Sequence, residues 1–220
     1  MKPRAVGQVG PAASADRAYS SAMQPGAMGS PVDVLQPSDR GRAGAALTAA
    51  FASDPVIRWV LSAPDAYLRV WPAFIEAFAG EAYEAGTAYA IEQCSAVALW
   101  LAPGTDSDGE EMQRLMFDGS DPSIRTDLDG VFEQMDAFHP SSEHWYLPLV
   151  GVDPVAQGRG LGTTLLGHVL AELDRAGSPA YLEATTPRNR SLYERHGFDA
   201  IGVIQHGESP PMWPMIRQPG

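Results

Sequence analysis

The sequence predicts an α/β fold built on a sheet of mixed strand direction, and three observations carry that prediction. Two apolar runs, 87–92 and 95–101, are separated by a short polar break and read as a β-hairpin. Residues 147–166, LPLVGVDPVAQGRGLGTTLL, give a strand, a turn, a glycine-rich loop and a helix start in succession. The C-terminal third then alternates strand-like and helix-like segments.

In order along the chain, Pro31 to Leu35 reads as a short first strand, and Ser38 or Asp39 supplies a side-chain oxygen to cap a helix running to Ala50. Phe51 to Pro55 ends that helix. Residues 56–61 and 67–79 have helical spacing, with Pro64 and Pro72 as punctuation. The hairpin follows, then a loop over 103–109 and two helices over 111–117 and 127–138; the second places Leu128, Val131, Phe132 and Met135 on one face. The remainder reads as strand 144–152, helix 161–176, strand 180–184, helix 188–195 and strands 199–205 and 211–217.

The 220 residues, 45% of them apolar, are enough for one substantial core. Residues 1–30, rich in Ala, Gly, Pro and Ser without a period of a helix or a strand, read as a disordered tail, and 31–220 as a single domain. No apolar run is long enough to span a membrane, and no apolar segment follows Lys2 and Arg4 to make a secretory signal. Cys94 is the only cysteine, which excludes an intrachain disulfide and a cysteine metal cluster; this fits a cytoplasmic protein without a metal. It reads as a turn or strand-end residue and not as a nucleophile. The net charge of −12 argues against a nucleic-acid partner. Residues 104–143 hold eleven Asp and Glu against Arg114 and Arg125. That field is either a solvated face or an attractant for a cationic acceptor.

The glycine loop is the chemical signal. Gly158, Gly160 and Gly162 permit backbone angles closed to other residues, and the helix start at Leu161 offers free N–H groups to an anion such as a pyrophosphate. A dinucleotide fingerprint requires glycine where Thr163 stands, and a Walker loop requires a lysine, whereas Lys2 is the only one. What remains is Gln157-Gly158-Arg159-Gly160-Leu161-Gly162, which resembles the Q/R-x-x-G-x-G/A loop of the GNAT acetyltransferase superfamily. Asn189-Arg190-Ser191-Leu192-Tyr193-Glu194-Arg195-His196-Gly197-Phe198 resembles that superfamily's N…LYE-x-x-GF segment, and stretches from about Val32 to Arg217 are similar to the puromycin N-acetyltransferase group.

The resemblance implies a GNAT fold, a mixed and mostly antiparallel sheet of six to seven strands flanked by helices, and an acetyl-CoA-dependent N-acetyltransferase. Such an enzyme transfers acetyl to a primary amine of a small molecule, an antibiotic-like amine among the candidates, by direct attack. It implies that residues 149–152 pair with the pantetheine arm through Val150 and Val152, that the Val150 N–H stabilises the oxyanion, and that Gln157, Gly158, Arg159, Gly160, Leu161, Gly162 and Thr163 hold the pyrophosphate. Asn189 and Ser191 are implied contacts of the cofactor arm, although Asn189 suits a helix N-cap equally. Tyr193 is the candidate general acid, a phenol of reference pKa ~10 that stays protonated at neutral pH, or else a packing ring. Glu183, a carboxylate in an apolar strand, is either a base acting through water or a structural anchor.

His139 and His144 read as surface groups. The acceptor pocket is expected from the first half of the domain, with Asp54, Trp59 and Trp100 as contacts and Phe51, Trp71, Phe74 and Phe78 around them; single aromatics are as readily core. The rivals are a catalytically silent acyl-CoA-binding regulatory or sensor domain and a protein whose loop holds another nucleotide. The oligomeric state is open, a homodimer included.

Overall fold

The computed structural model of the protein describes residues 32–105 and 107–220. The expected tail lies outside them. The described strands are β1 (Val32–Val34), β2 (Ala88–Ile91), β3 (Ala96–Leu101), β4 (Trp145–Val152), β5 (Ala180–Ala184), β6 (Asp199–Ala200) and β7 (Trp213–Arg217). They form a seven-stranded sheet in the order β1-β2-β3-β4-β5-β7-β6. Every neighbouring pair is antiparallel except β4–β5.

The helices are α1 (Arg40–Phe51), α2 (Pro55–Val60), α3 (Pro64–Ala79), α4 (Glu81–Ala85), α5 (Gly109–Gly119), α6 (Arg125–Phe138), α7 (Leu161–Ala176) and α8 (Pro187–Arg195). The mixed, mostly antiparallel α/β architecture expected from the sequence is therefore the one observed. The period of two along β3 sorts the layers. Val97, Leu99 and Leu101 join the core with Leu47 of α1 and with Trp71, Phe74 and Ile75 of α3. Ala96, Ala98 and Trp100 between them face the other way, the side on which α7 packs and where Tyr89 of β2 meets the His168 ring.

Several elements depart from expectation for identifiable reasons. Pro64 opens α3 at its first turn, but Pro72 sits inside the helix without ending it. The face carrying Trp71, Phe74, Ile75 and Phe78 is buried, and that packing outweighs the one backbone bond a proline forfeits. Asp39 precedes α1 but does not cap it: its carboxylate accepts from the Gln36 N–H and pairs with Arg42. Helix α4 was not anticipated; it ends on Gly86 in the left-handed conformation. The strand expected over 199–205 shrinks to Asp199–Ala200, with an isolated bridge from Ile204 to Met212. Past Ala200 the chain crosses α6 instead. Gly202 lies where a Cβ would be 2.4 Å from the Phe138 ring, and the Gln134 side chain holds both the N–H and the C=O of Gln205.

Two irregularities in β4 break the regularity of the sheet at its centre. The register of β4 with β3 moves from Leu99↔Leu149 to Leu101↔Tyr146, so β4 carries an extra residue at Leu147–Pro148, where a proline can be accommodated. On its other side β4 pairs with β5 only at Trp145↔Ala180 and Tyr146↔Tyr181. Beyond Tyr146 the two parallel strands part.

Candidate active site

The parting of β4 and β5 opens a cleft. One wall is the end of β4, Val150 to Val152, and the other is Thr186 and the first turns of α8, with Asn189, Leu192 and Tyr193. The floor is the loop from Gln157 and the start of α7 to Thr163, and Ala50, Phe51, Ser53 and Asp54 close the side. The cavity measures about 390 Å³. α1 reaches this close because residue 151 is glycine: a Cβ there would lie 2.7 Å from that of Ala50.

The loop's backbone is preset for an anion. Gly158 and Gly160 have φ of 79° and 80°, the left-handed region, and a Cβ at either would meet nothing within 4 Å. Glycine is needed there for its backbone angles, and the space a side chain would fill is open to a ligand. Gly160 leads directly into α7, whose first turn has free N–H groups and the positive end of the helix dipole. These features fit the pyrophosphate of acetyl-CoA.

The predicted cofactor residues do not all line the cleft. Val150, Val152, Gln157, Gly158, Gly160, Leu161, Gly162 and Thr163 line the cleft. The Gln157 amide also donates to the Val152 carbonyl at 3.3 Å, which ties the loop to the strand end. Arg159 turns away and forms a bidentate pair with Glu92 in the β2–β3 turn, at 2.7 and 2.8 Å. The cationic groups at the cleft are instead Arg188 and Arg195 of α8, which sequence reasoning passed over. Their signal was available, since Arg188 follows Pro187 in the first turn of a helix already assigned to the cofactor.

Thr186, not Asn189, caps α8: its hydroxyl accepts from the Asn189 N–H at 3.1 Å. The Asn189 side chain thus lines the cleft without that duty, whereas Ser191 is exposed and does not line it.

Tyr193 is 6% exposed and borders the cleft, its ring edge-on to Phe198 at 6.0 Å. Burial, reinforced by the nearby Asp54 carboxylate, pushes its phenol well above the ordinary tyrosine value, so it is held protonated. Asp54 was expected among the acceptor contacts and is found here. Its Oδ1 caps α2, accepting from the N–H groups of Val56 and Ile57 at 3.0 and 3.1 Å, and its Oδ2 accepts from the Thr185 hydroxyl. Desolvation raises its pKa against those bonds.

A second, larger cavity of about 780 Å³ lies on the α3–α5–α6 side of the same seam. Tyr146 of β4 and Glu183 of β5 line it, each a few residues before the positions that line the first cleft. The Tyr146 hydroxyl donates to Glu183 Oε2 at 2.7 Å, while Oε1 is buried with no hydrogen-bond partner. Burial raises the Glu183 pKa to about 7 although the Tyr146 bond pulls it down. Nearby, His144 Nδ1 lies 2.7 Å from the Ser142 carbonyl and Nε2 lies 3.1 Å from Nε2 of His139; both imidazoles line the cavity.

Of the aromatics expected at the acceptor site only Phe78 lines this cavity, while Phe51 lines the first cleft. Trp100 is fully buried on the opposite face of the sheet, Trp71 and Phe74 are core, and Trp59 packs against the core; none of the four lines either cavity. The walls are Phe132, Met135 and Met112 from helices α6 and α5. The sequence offered only an amphipathic helix there.

Known proteins agree with this geometry. Residues 128–198 match the Acetyltransferase (GNAT) family, the span from α6 through the loop to Phe198. An uncharacterized N-acetyltransferase of Schizosaccharomyces pombe is 24% identical over 84% of this chain and 82% of its own length. A mycothiol acetyltransferase of Gordonia bronchialis is 39% identical, but over only 35% of this chain and 30% of that one. The crystal structure of a histone acetyltransferase HPA2 and related acetyltransferase from Corynebacterium glutamicum superposes with a TM-score of 0.60 at 27% identity, over 86% of this chain and 96% of that one. Arylalkylamine N-acetyltransferase 2 of Aedes aegypti shares the fold at 13% identity, with a TM-score of 0.58 over 86% of this chain and 98% of that one. The fold and the left-handed glycine loop at the parted strands agree with that partial family match, whose span holds the loop and the start of α7.

Proposed function

We propose that the protein transfers the acetyl group of acetyl-CoA to a primary amine of a small molecule, by direct attack across the β4–β5 seam. The observation that carries this reading is the pair of cavities flanking that seam, one with an anion cradle and one with a buried carboxyl. Acetyl-CoA supplies an activated thioester when bound. The main chain of 158–163, with Arg188 and Arg195, holds its phosphates, and the open side of β4 at Val150–Val152 faces the arm.

Glu183 takes the proton from the incoming ammonium, directly or through water. A carboxyl with a pKa near 7 is well matched to that task at neutral pH. Tyr193, on the cofactor side, donates its proton to the departing thiolate. The acidic reach 104–143 supplies Glu110, Asp136 and Glu143 to the second cavity and favours a cationic acceptor. The similarity to the puromycin group makes antibiotic-like amines the first to screen.

The test is a panel of primary amines with acetyl-CoA, reading free CoA thiol together with the acetylated product by mass spectrometry. Product formation above the non-enzymatic rate is expected for at least one amine. Tight acetyl-CoA binding with no product across a broad panel would favour the silent sensor reading.

A further inference from the structure

The second cavity has a distribution of charge that the reaction alone does not require. Its floor holds the Glu183 carboxyl, its walls are Phe78, Met112, Phe132 and Met135, and its rim carries Glu110, Asp136 and Glu143. No Lys or Arg lines it among the described residues. The two arginines of the surrounding segment are committed elsewhere. Arg114 is forked onto Glu111 and paired with Asp118, and Arg125 donates to the Phe117 carbonyl.

Recognition of a free carboxylate calls for a guanidinium fork, an ammonium or a set of converging N–H donors. None of the side chains here is a fixed cation, and the two imidazoles that line the cavity, His139 and His144, face each other, with His144 Nδ1 also against the Ser142 carbonyl. A carboxylate on the acceptor would therefore lose its water without a cationic partner and would face several anions across an apolar space.

We propose that this cavity sorts acceptors by charge. It admits amines on an apolar body whose remainder is neutral or carries a further cation, and it rejects amines bearing a free carboxylate near the reacting nitrogen, such as α-amino acids. This rests on the acetyltransferase reading, but it concerns which amine enters and not whether acetyl is transferred.

Three compounds that share the 2-phenylethylamine core test it: phenylalanine, phenylalanine amide and 2-phenylethylamine itself. Both kcat/KM for acetylation and equilibrium binding to the full chain saturated with CoA are measured, with each rate corrected for the fraction of free amine. The amide and the phenylethylamine should exceed phenylalanine by on the order of 10²-fold in each readout. The double variant Asp136→Lys, Glu143→Lys changes two exposed rim residues and should shrink that gap at least tenfold, mainly by improving phenylalanine. Phenylalanine equal to its amide in both readouts, or no binding by any of the three, overturns the proposal. Ordered binding without any acetylation would sustain the sorting and count against acetyl transfer.

Discussion

The glycine-loop cleft, proposed to hold the cofactor, and the second cavity, proposed to take the acceptor, flank the same pair of strands, yet they are encoded in opposite ways. The cleft is built largely from two contiguous stretches, 150–163 and 186–195, and its chemistry is mostly backbone: two left-handed glycines, a helix N-terminus and a strand edge. Backbone sites demand particular residue types at fixed spacing, so they leave a readable motif. The second cavity draws its lining from α3, β3 and the loop after it, α5, α6, the loop before β4, β4 itself and β5. Each of those residues has an ordinary role in its own element, and only the fold brings them together.

Perturbing each side should affect a different quantity. The largest effect is expected in the cleft. Gly160→Val puts a β-branched residue at φ 80° at the mouth of α7, where L side chains are strained even though no protein atom lies within 4 Å. Acetyl-CoA affinity by calorimetry should fall by on the order of 10²-fold or more while circular dichroism shows the fold retained. Unchanged affinity in a folded variant would mean that the loop is not the phosphate cradle.

Tyr193→Phe comes next, because it removes one hydroxyl from a packed ring at the cleft wall. Turnover should drop roughly 10²-fold with acetyl-CoA affinity little altered, a loss confined to the transition state. Wild-type turnover with chemistry shown to be rate-limiting would leave water as the proton donor.

On the acceptor side, Glu183 gives a graded response to pH. Its folded pKa of about 7 lies above the ordinary glutamate value, so its ionised, proton-accepting form appears as pH rises through 7, and kcat/KM should climb with it. Glu183→Gln should flatten that rise and leave acetyl-CoA affinity alone. Stability has the opposite sign. A raised folded pKa means that wild-type stability is fully present below the unfolded value of 4.5 and is lost as pH rises through 7. The Gln variant should therefore gain in relative melting temperature between pH 5 and pH 8. A pH profile identical to that of wild type would reassign Glu183 as an anchor for Tyr146.

The smallest effect should come from deleting residues 1–30, which carry none of the motifs. Melting temperature and acetyl-CoA affinity should stay as they were. A large change in either would show that the tail contributes to the domain.

The same contrast explains how far the sequence was legible. The succession of elements along the chain and most helix bounds followed from periodicity and punctuation, and the glycine loop and the LYERHGF segment led directly to the cleft. Trp100 was placed at the acceptor site because large rings attract attention, but alternation along β3 turns it to the far face, between Leu99 and Leu101. Arg159 carried the charge within the motif, yet it is engaged by Glu92, a partner 67 positions away that no local pattern announces. Tyr146 and Glu183 are 37 positions apart and meet only because β4 and β5 are parallel neighbours. Long-range pairing, more than propensity, is where the sequence was silent.

The short seam between β4 and β5 also bears on how the protein keeps. A sheet normally hides its unpaired N–H and C=O groups by ending in bulges, charges or short strands, but here a stretch of strand in the middle of the sheet, from Leu147 to Val152, has no ladder partner on its β5 side. Peptide groups on that side are an open template for any extended chain carrying amides. An amide-bearing arm laid along β4 acts as a missing strand, so occupancy of the cleft doubles as protection against self-association. Solubility on prolonged storage should accordingly depend on whether CoA is present, with the empty protein the more prone to aggregate through an interior edge that its own fold leaves uncovered.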